Sequence, residues 1–128
     1  MKHFVWSKRS LREMEGINPD LRKVCDRALE LSLYDFMITD GKRTIEEQRH
    51  YVSIGASQTM SSNHLTGHAI DFAILINGKV RWEFPLYEEV SRAFKQAAKE
   101  LGVKIIWGGD WKRFKDGPHI ELNRRYYV

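Results

Sequence analysis

The sequence predicts an α+β fold, with three helices and a small, mainly antiparallel sheet. Three observations lead there. The segment Ala69–Ile76 reads as a strand and runs into Asn77-Gly78, a dipeptide that favours a tight hairpin turn. Two long segments, one after Asn18 and one after Pro85, place their apolar residues at helical spacing. The other strand candidates cluster between and after these helices, which favours an antiparallel sheet.

Asn18-Pro19-Asp20 starts the first helix with a capping side chain, a proline in the first turn and early negative charge. Leu21, Val24, Cys25, Ala28, Leu29 and Leu31 then form its buried stripe. Phe36-Met37-Ile38-Thr39 reads as a short strand, and Asp40-Gly41-Lys42 as a turn. Thr44-Ile45-Glu46-Glu47 is a capping box, opening a second helix that runs towards Ile54 and ends at Gly55. Residues 56–66 are rich in Ser, Thr, Gln and Asn without periodicity, so a surface loop is expected there. After the hairpin into Lys79-Val80-Arg81-Trp82, the third helix is expected to begin past Pro85. It buries Val90, Phe94, Ala97, Ala98 and Leu101, and Gly102 terminates it. Residues 103–107 form another strand candidate, Gly108-Gly109 a sharp break, and His119–Leu122 the last strand. There is no internal repeat, low-complexity stretch or linker.

A chain of 128 residues with 42% hydrophobic content suits one domain with one core. No stretch approaches the roughly 18 apolar residues that span a bilayer. The first nine residues are too polar for a secretory signal, so a soluble chain without its own export signal is expected. The lone Cys25 lies on the apolar stripe of the first helix, which points to a core position and away from redox chemistry. The net charge of +4 either favours an anionic partner (nucleic acid, headgroups or a wall polymer) or merely solubilises the surface, since acidic residues are interspersed.

Strand alternation exposes a candidate site. Ile70, Phe72, Ile74 and Ile76 share one apolar face, so Asp71, with small Ala69 and Ala73 beside it, points the other way. Ile120 and Leu122 claim the core face of the last strand and turn His119 and Glu121 opposite. Side by side, these strands bring Asp71 and His119 onto one face, and His64, in the preceding loop, can fold over them. Two imidazoles and one carboxylate suit Zn²⁺ and leave a fourth tetrahedral position for water, as a catalytic site requires.

Two motifs, Ser62-x-His64-x-x-Gly67-x-Ala69-x-Asp71 and Asp116-x-x-His119, resemble those of the M15 group of zinc peptidases. That group includes D-alanyl-D-alanine peptidases and the L-alanyl-D-glutamate endopeptidases that bacteriophages use as endolysins. Trp107-Gly-Gly-Asp110-Trp111 and Gly41-Lys42-Arg43-Thr44 resemble its phage members in particular. Residue by residue, the resemblance implies His64, Asp71 and His119 as ligands of one zinc ion, and Asp116 as general base. Asp110 and Glu121 remain rival bases. Arg43 matches an arginine beside the site that stabilises the tetrahedral intermediate or binds a substrate carboxylate; alternatively it pairs with Glu46 or Glu47. Ser62 either contacts substrate or caps a turn, and Trp111 either packs or lines a groove. His68 falls on a variable position and shares the parity of Ile70, which makes it a non-ligand.

The resemblance implies one catalytic domain over residues 1–128, without a separate wall-binding domain. The expected reaction is hydrolysis of the peptidoglycan stem peptide at the L-alanyl-D-glutamate bond. The enzyme is expected to be a monomer, made in the host cytoplasm, that reaches the wall once a holin-type partner opens the membrane. Neither nucleic acid nor a stable membrane association is expected. Two alternatives stand beside this reading: a D-alanyl-D-alanine carboxypeptidase or dipeptidase using the same zinc centre, and a small metal-dependent nuclease. The nuclease reading wants a helix after the His-bearing hairpin, and the chain ends at Val128 soon after His119. A non-enzymatic polymer-binding module leaves Asp71 unexplained.

Overall fold

A computed structural model describes residues 4–57, 60 and 62–127. Gln58, Thr59 and Ser61 of the expected polar loop lie outside the described residues, as do residues 1–3 and Val128. The helices are α1 (Lys8–Glu13), α2 (Pro19–Leu31), α3 (Ile45–Ser53) and α4 (Phe84–Leu101). The strands are β1 (Asp35–Asp40), β2 (Ala69–Ile76), β3 (Lys79–Arg81), β4 (Ile105–Trp107) and β5 (His119–Leu122). Short 3-10 turns occupy Asn63–Thr66 and Gly108–Asp110.

The α+β class and the antiparallel sheet are as the sequence predicts. Beyond the three expected helices there is a fourth, α1, whose only buried residue is Ser10. It lacks an apolar stripe and is held by polar bonds: Ser7 caps it, and the Ser10 hydroxyl accepts from the Ile38 amide at 3.0 Å, occupying a donor of the edge strand β1. Helix α4 starts at Phe84, one residue before Pro85, because proline needs no amide partner in a first turn.

The strand order is β1-β2-β5-β4. The edge of β2 not used by β1 is divided: Ala69, Ile70 and Asp71 pair with β5, while Ile74, Leu75 and Ile76 pair with β3. Asn77 and Gly78 both take positive φ (53° and 76°), the geometry of a hairpin turn matched to strand twist.

Helices α2 and α4 pack on each other and on the apolar face of the sheet. Phe36, Phe72 and Phe94 meet there with ring centroids 5.0–5.5 Å apart, each fully buried ring contributing about 2–3 kcal/mol. The Tyr87 hydroxyl donates to the Arg81 carbonyl and accepts from the Ile74 amide, which ties β3 to α4. Cys25 is wholly buried in this core, and burial raises its thiol pKa. The opposite sheet face presents Asp71, His119 and Glu121.

Candidate metal centre and its cleft

His64 is placed by its own turn. The Ser62 hydroxyl accepts from the His64 amide at 3.2 Å, so Ser62 acts as the cap of the 3-10 turn. Gly67 ends the turn at φ 74°, where a Cβ would lie 2.7 Å from the Gly16 carbonyl oxygen. The imidazole is buried; its Nδ1 bonds the Gly41 carbonyl at 2.8 Å, which turns Nε2 towards Asp71. That Nε2 lies 3.3 Å from Asp71 Oδ1 yet makes no hydrogen bond, a buried polar atom without a partner.

Asp71 and His119 are register partners across β2 and β5, so strand pairing alone sets them together. His119 Nδ1 is 3.0 Å from Asp71 Oδ1, and Nε2 is 2.7 Å from Glu121 Oε1. Glu121 Oε2 accepts in turn from Asn63 Nδ2 at 2.8 Å. Burial opposes a charge on His119, but Asp71 and Glu121 outweigh it and push its pKa up to about 9. Burial would raise Asp71, but the His119 bond and the nearby His64 imidazole prevail and hold it well below the usual carboxylate range.

The ligand atoms of His64, Asp71 and His119 all lie within 4.8 Å of one another. Each imidazole has its outward nitrogen fixed by an oxygen acceptor, the arrangement that orients a metal-binding histidine. A cation among the three would satisfy the orphaned His64 Nε2. Two nitrogens and one carboxylate oxygen suit a zinc-type ion.

Arg43 stands behind this centre, with its side chain only 10% exposed. Its guanidinium donates to Asp40 Oδ2 (2.7 Å), Gln48 Oε1 (2.8 Å) and Asp71 Oδ2 (3.3 Å), and lies 4.4 Å from the Tyr51 ring centre. No ion pair to Glu46 or Glu47 forms among the described residues. A bulge in β1 between Ile38 and Asp40 shifts the register so that Asp40, not Thr39, faces Asp71. Burial raises the pKa of Asp40, which His64 and Arg43 partly oppose.

A cleft of about 720 Å³ opens over the centre. Asp116 lines it, and among the described residues its carboxylate has no hydrogen bond or ion pair. Burial first, and the nearby Asp71 second, raise its pKa. The rival bases are engaged elsewhere. Asp110 pairs with Lys95 at 2.8 Å on the surface, and Glu121 is bonded to His119 and Asn63. Trp107 is a core residue whose indole donates to the Gly117 carbonyl at 2.7 Å, pinning the turn between Asp116 and His119. Trp111 lines the cleft, its ring centre 5.1 Å from that of His119. Among the described residues the His68 ring bonds only to Thr66, and it stands outside the cluster.

Sequence reasoning missed Asp40, Gly41 and Gln48. One signal was available for Gln48: α3 has no apolar stripe, and Gln48 is its one buried residue, so this helix serves the site and not the core.

Residues 2–125 match the family model described as phage L-alanyl-D-glutamate peptidase. The chain is 42% identical to the L-alanyl-D-glutamate peptidase of Escherichia phage T5, over 97% of this chain and 93% of that one. It is 35% identical to the peptidoglycan L-alanyl-D-glutamate endopeptidase CwlK of Bacillus subtilis, over 95% and 84%. The crystal structure of the Serratia marcescens L-Ala D-Glu endopeptidase ChiX superposes with a TM-score of 0.90 at 43% identity, covering 95% of this chain and 92% of that one. On this likeness of sequence and fold, the chain belongs to the phage L-alanyl-D-glutamate peptidase family.

Proposed function

We propose that this protein is a zinc-dependent peptidoglycan endopeptidase that hydrolyses the L-alanyl-D-glutamate bond of the stem peptide. The observation that carries the reading is the convergence of His64 Nε2, Asp71 and His119 Nδ1, with His64 Nε2 buried and unpartnered at the floor of a cleft. These three residues hold one zinc ion per chain. When bound, zinc supplies Lewis acidity, lowering the pKa of water and polarising the scissile carbonyl.

Asp116 moves the proton. Among the described residues it is the cleft carboxylate without a partner, and its raised pKa suits a group that must both accept and release a proton. The attacking water bonds through oxygen to the carbonyl carbon and gives a proton to Asp116. The C–N bond then breaks, and Asp116 returns that proton to the departing amine. Arg43 is a positioning residue: its donors hold Asp71 and Asp40, which fixes the ligand carboxylate. Ser62 positions His64 through its cap, and Trp111 offers an apolar wall to the substrate. Among the described residues, no helix is long and apolar enough to cross a membrane. The proposed life history is synthesis in the host cytoplasm as a monomer and access to the wall through a holin-type protein.

Mass spectrometry of purified wall peptides after digestion tests this, with Asp116→Ala as control. New L-alanine carboxyl ends and D-glutamate amino ends are expected. Release of terminal D-alanine instead would replace the endopeptidase with a carboxypeptidase, and DNA nicking without peptide cleavage would overturn both.

A further inference from the structure

Resting on that reading, we propose that Arg113 and Lys115 form a subsite for the carboxylate that the glutamyl residue keeps beside the scissile nitrogen. The loop between the 3-10 turn Gly108–Asp110 and β5 then selects an acidic residue on the amine side of the cut.

The argument begins with the charges in the cleft. Three cationic side chains line it: Arg43, Arg113 and Lys115. The guanidinium of Arg43 is committed to Asp40, Gln48 and Asp71. Arg113 and Lys115 have no carboxylate partner among the described residues and are exposed, so theirs are the free positive charges of the cleft. Asp116, the likewise unpartnered carboxylate, lies next to Lys115 in the chain. A second carboxylate entering there is repelled by Asp116 unless cations stand beside it.

The loop is built to hold those cations over the centre. The amides of Trp111 and Asp116 both donate to the Gly108 carbonyl, at 3.2 and 3.0 Å, so one oxygen closes both ends of the segment. Its two feet are thereby the residue packed on His119 and the proposed base. Between them Phe114 takes φ 52°, a left-handed conformation that costs a non-glycine residue about 1 kcal/mol or more. Its ring lines the cleft and is 74% exposed, without packing that would offset the cost. A strained, uncovered aromatic flanked in sequence by two unpaired cations, all lining the cleft, fits an amphipathic ligand with an apolar stretch and an anionic group.

A glutamyl residue in a stem peptide is such a ligand. It uses one of its two carboxyl groups to continue the peptide, and the other remains a carboxylate; the two methylenes between its α-carbon and its side-chain carboxyl supply an apolar stretch. Its α-carbon is bonded to the scissile nitrogen, so that carboxylate stays within a few bonds of the cut. Alanine on the other side brings no charge, which leaves the amine side for the cationic loop.

The test compares kcat/KM for two stem peptides that differ in one group: glutamate with its free carboxylate, and the same residue with that carboxylate as the amide. Wild type is expected to prefer the carboxylate form about five- to tenfold at low salt, the scale of one or two solvent-exposed ion pairs, and less at high salt. In Arg113→Gln/Lys115→Gln the carboxylate peptide loses that factor, mainly in KM, and the amidated peptide stays within twofold. Lys112→Gln removes one positive charge from the same loop but outside the cleft lining, and is expected to change neither rate. Equal losses on both peptides in the double variant, or a wild type that cuts both without preference, overturn the subsite and leave the endopeptidase standing. A wild type that cuts neither overturns both.

Discussion

Replacing Gly108 with alanine tests how the proposed base and a proposed metal ligand are held at once. A Cβ built there would lie 2.4 Å from the Asp116 carbonyl oxygen, 3.0 Å from His119 Cβ and 3.2 Å from Asp116 Cβ. Ordinary contact begins at 3.4 Å, so the Asp116 carbonyl has to retreat by the difference, 3.4 − 2.4, or about 1 Å. That carbonyl accepts from the His119 amide at 3.2 Å, and the Asp116 amide donates to Gly108 itself, so the retreat drags the proposed base and a ligand strand together. The φ of Gly108 is not in the left-handed region, which leaves crowding as the whole effect. Overpacking of this kind costs about 1–3 kcal/mol of stability, and a misplacement of about 1 Å at a reacting group costs on the order of 10²-fold in rate. The expected result is a kcat/KM on stem peptide near one hundredth of wild type, with a lowered Tm. Gly78→Ala is the comparison: φ is 76° and nothing lies within 4 Å, so strain of about 1 kcal/mol lowers stability and leaves the rate alone. A Gly108→Ala enzyme within threefold of wild type would refute the claim that this glycine sets the position of Asp116.

Asp116→Ala is expected to keep its zinc by elemental analysis and to lose about 10²–10⁴-fold in kcat; a tenth of wild-type turnover surviving would move the base elsewhere. Because Asp116 must be ionised to accept a proton and burial raises its pKa, the acid limb of kcat/KM is expected above the ordinary carboxylate range, with activity rising with pH. Arg43→Lys replaces a fork serving three acceptors by a single ammonium, and thermal melts should show a loss of about 1–3 kcal/mol, largest in the metal-free protein. In that metal-free form the folded pKa of His119, about 9, exceeds its unfolded value near 6.5. The stability it contributes is therefore complete below pH 6.5 and lost as pH rises to 9, on the order of a few kcal/mol. Zinc displaces that proton, so stabilisation by added zinc should grow across the same window in denaturant titrations; a flat metal-free profile would contradict the assigned coupling.

What the sequence made legible follows from periodicity. Asp71 and His119 were placed on one face because strands alternate with period two, and β2 and β5 pair them directly. His64 came only with the motif resemblance, since a 3-10 turn of four residues has no period to read. Asp40 was hidden because it read as the start of a turn, whereas a bulge keeps it in β1 opposite Asp71, against the plain alternation. Helix α1 escaped because polar bonds and not an apolar stripe hold it, although Ser7 is a good capping residue. Arg43 was singled out by the motif, but its partners could not be: they come from β1, α3 and β2, brought together only by the tertiary fold.

The divided edge of β2 also separates two kinds of freedom. The half paired with β5 carries Asp71, and a slip of one residue there would turn the ligand away. The half paired with β3 leads to the Asn77-Gly78 tip, six residues from Asp71 and thus about 20 Å along the strand. Nothing approaches a Cβ at Gly78, so the tip is a graft point. A wall-targeting module or a fluorescent reporter spliced there would be carried by a hairpin that the Tyr87 hydroxyl anchors to α4, away from the cleft.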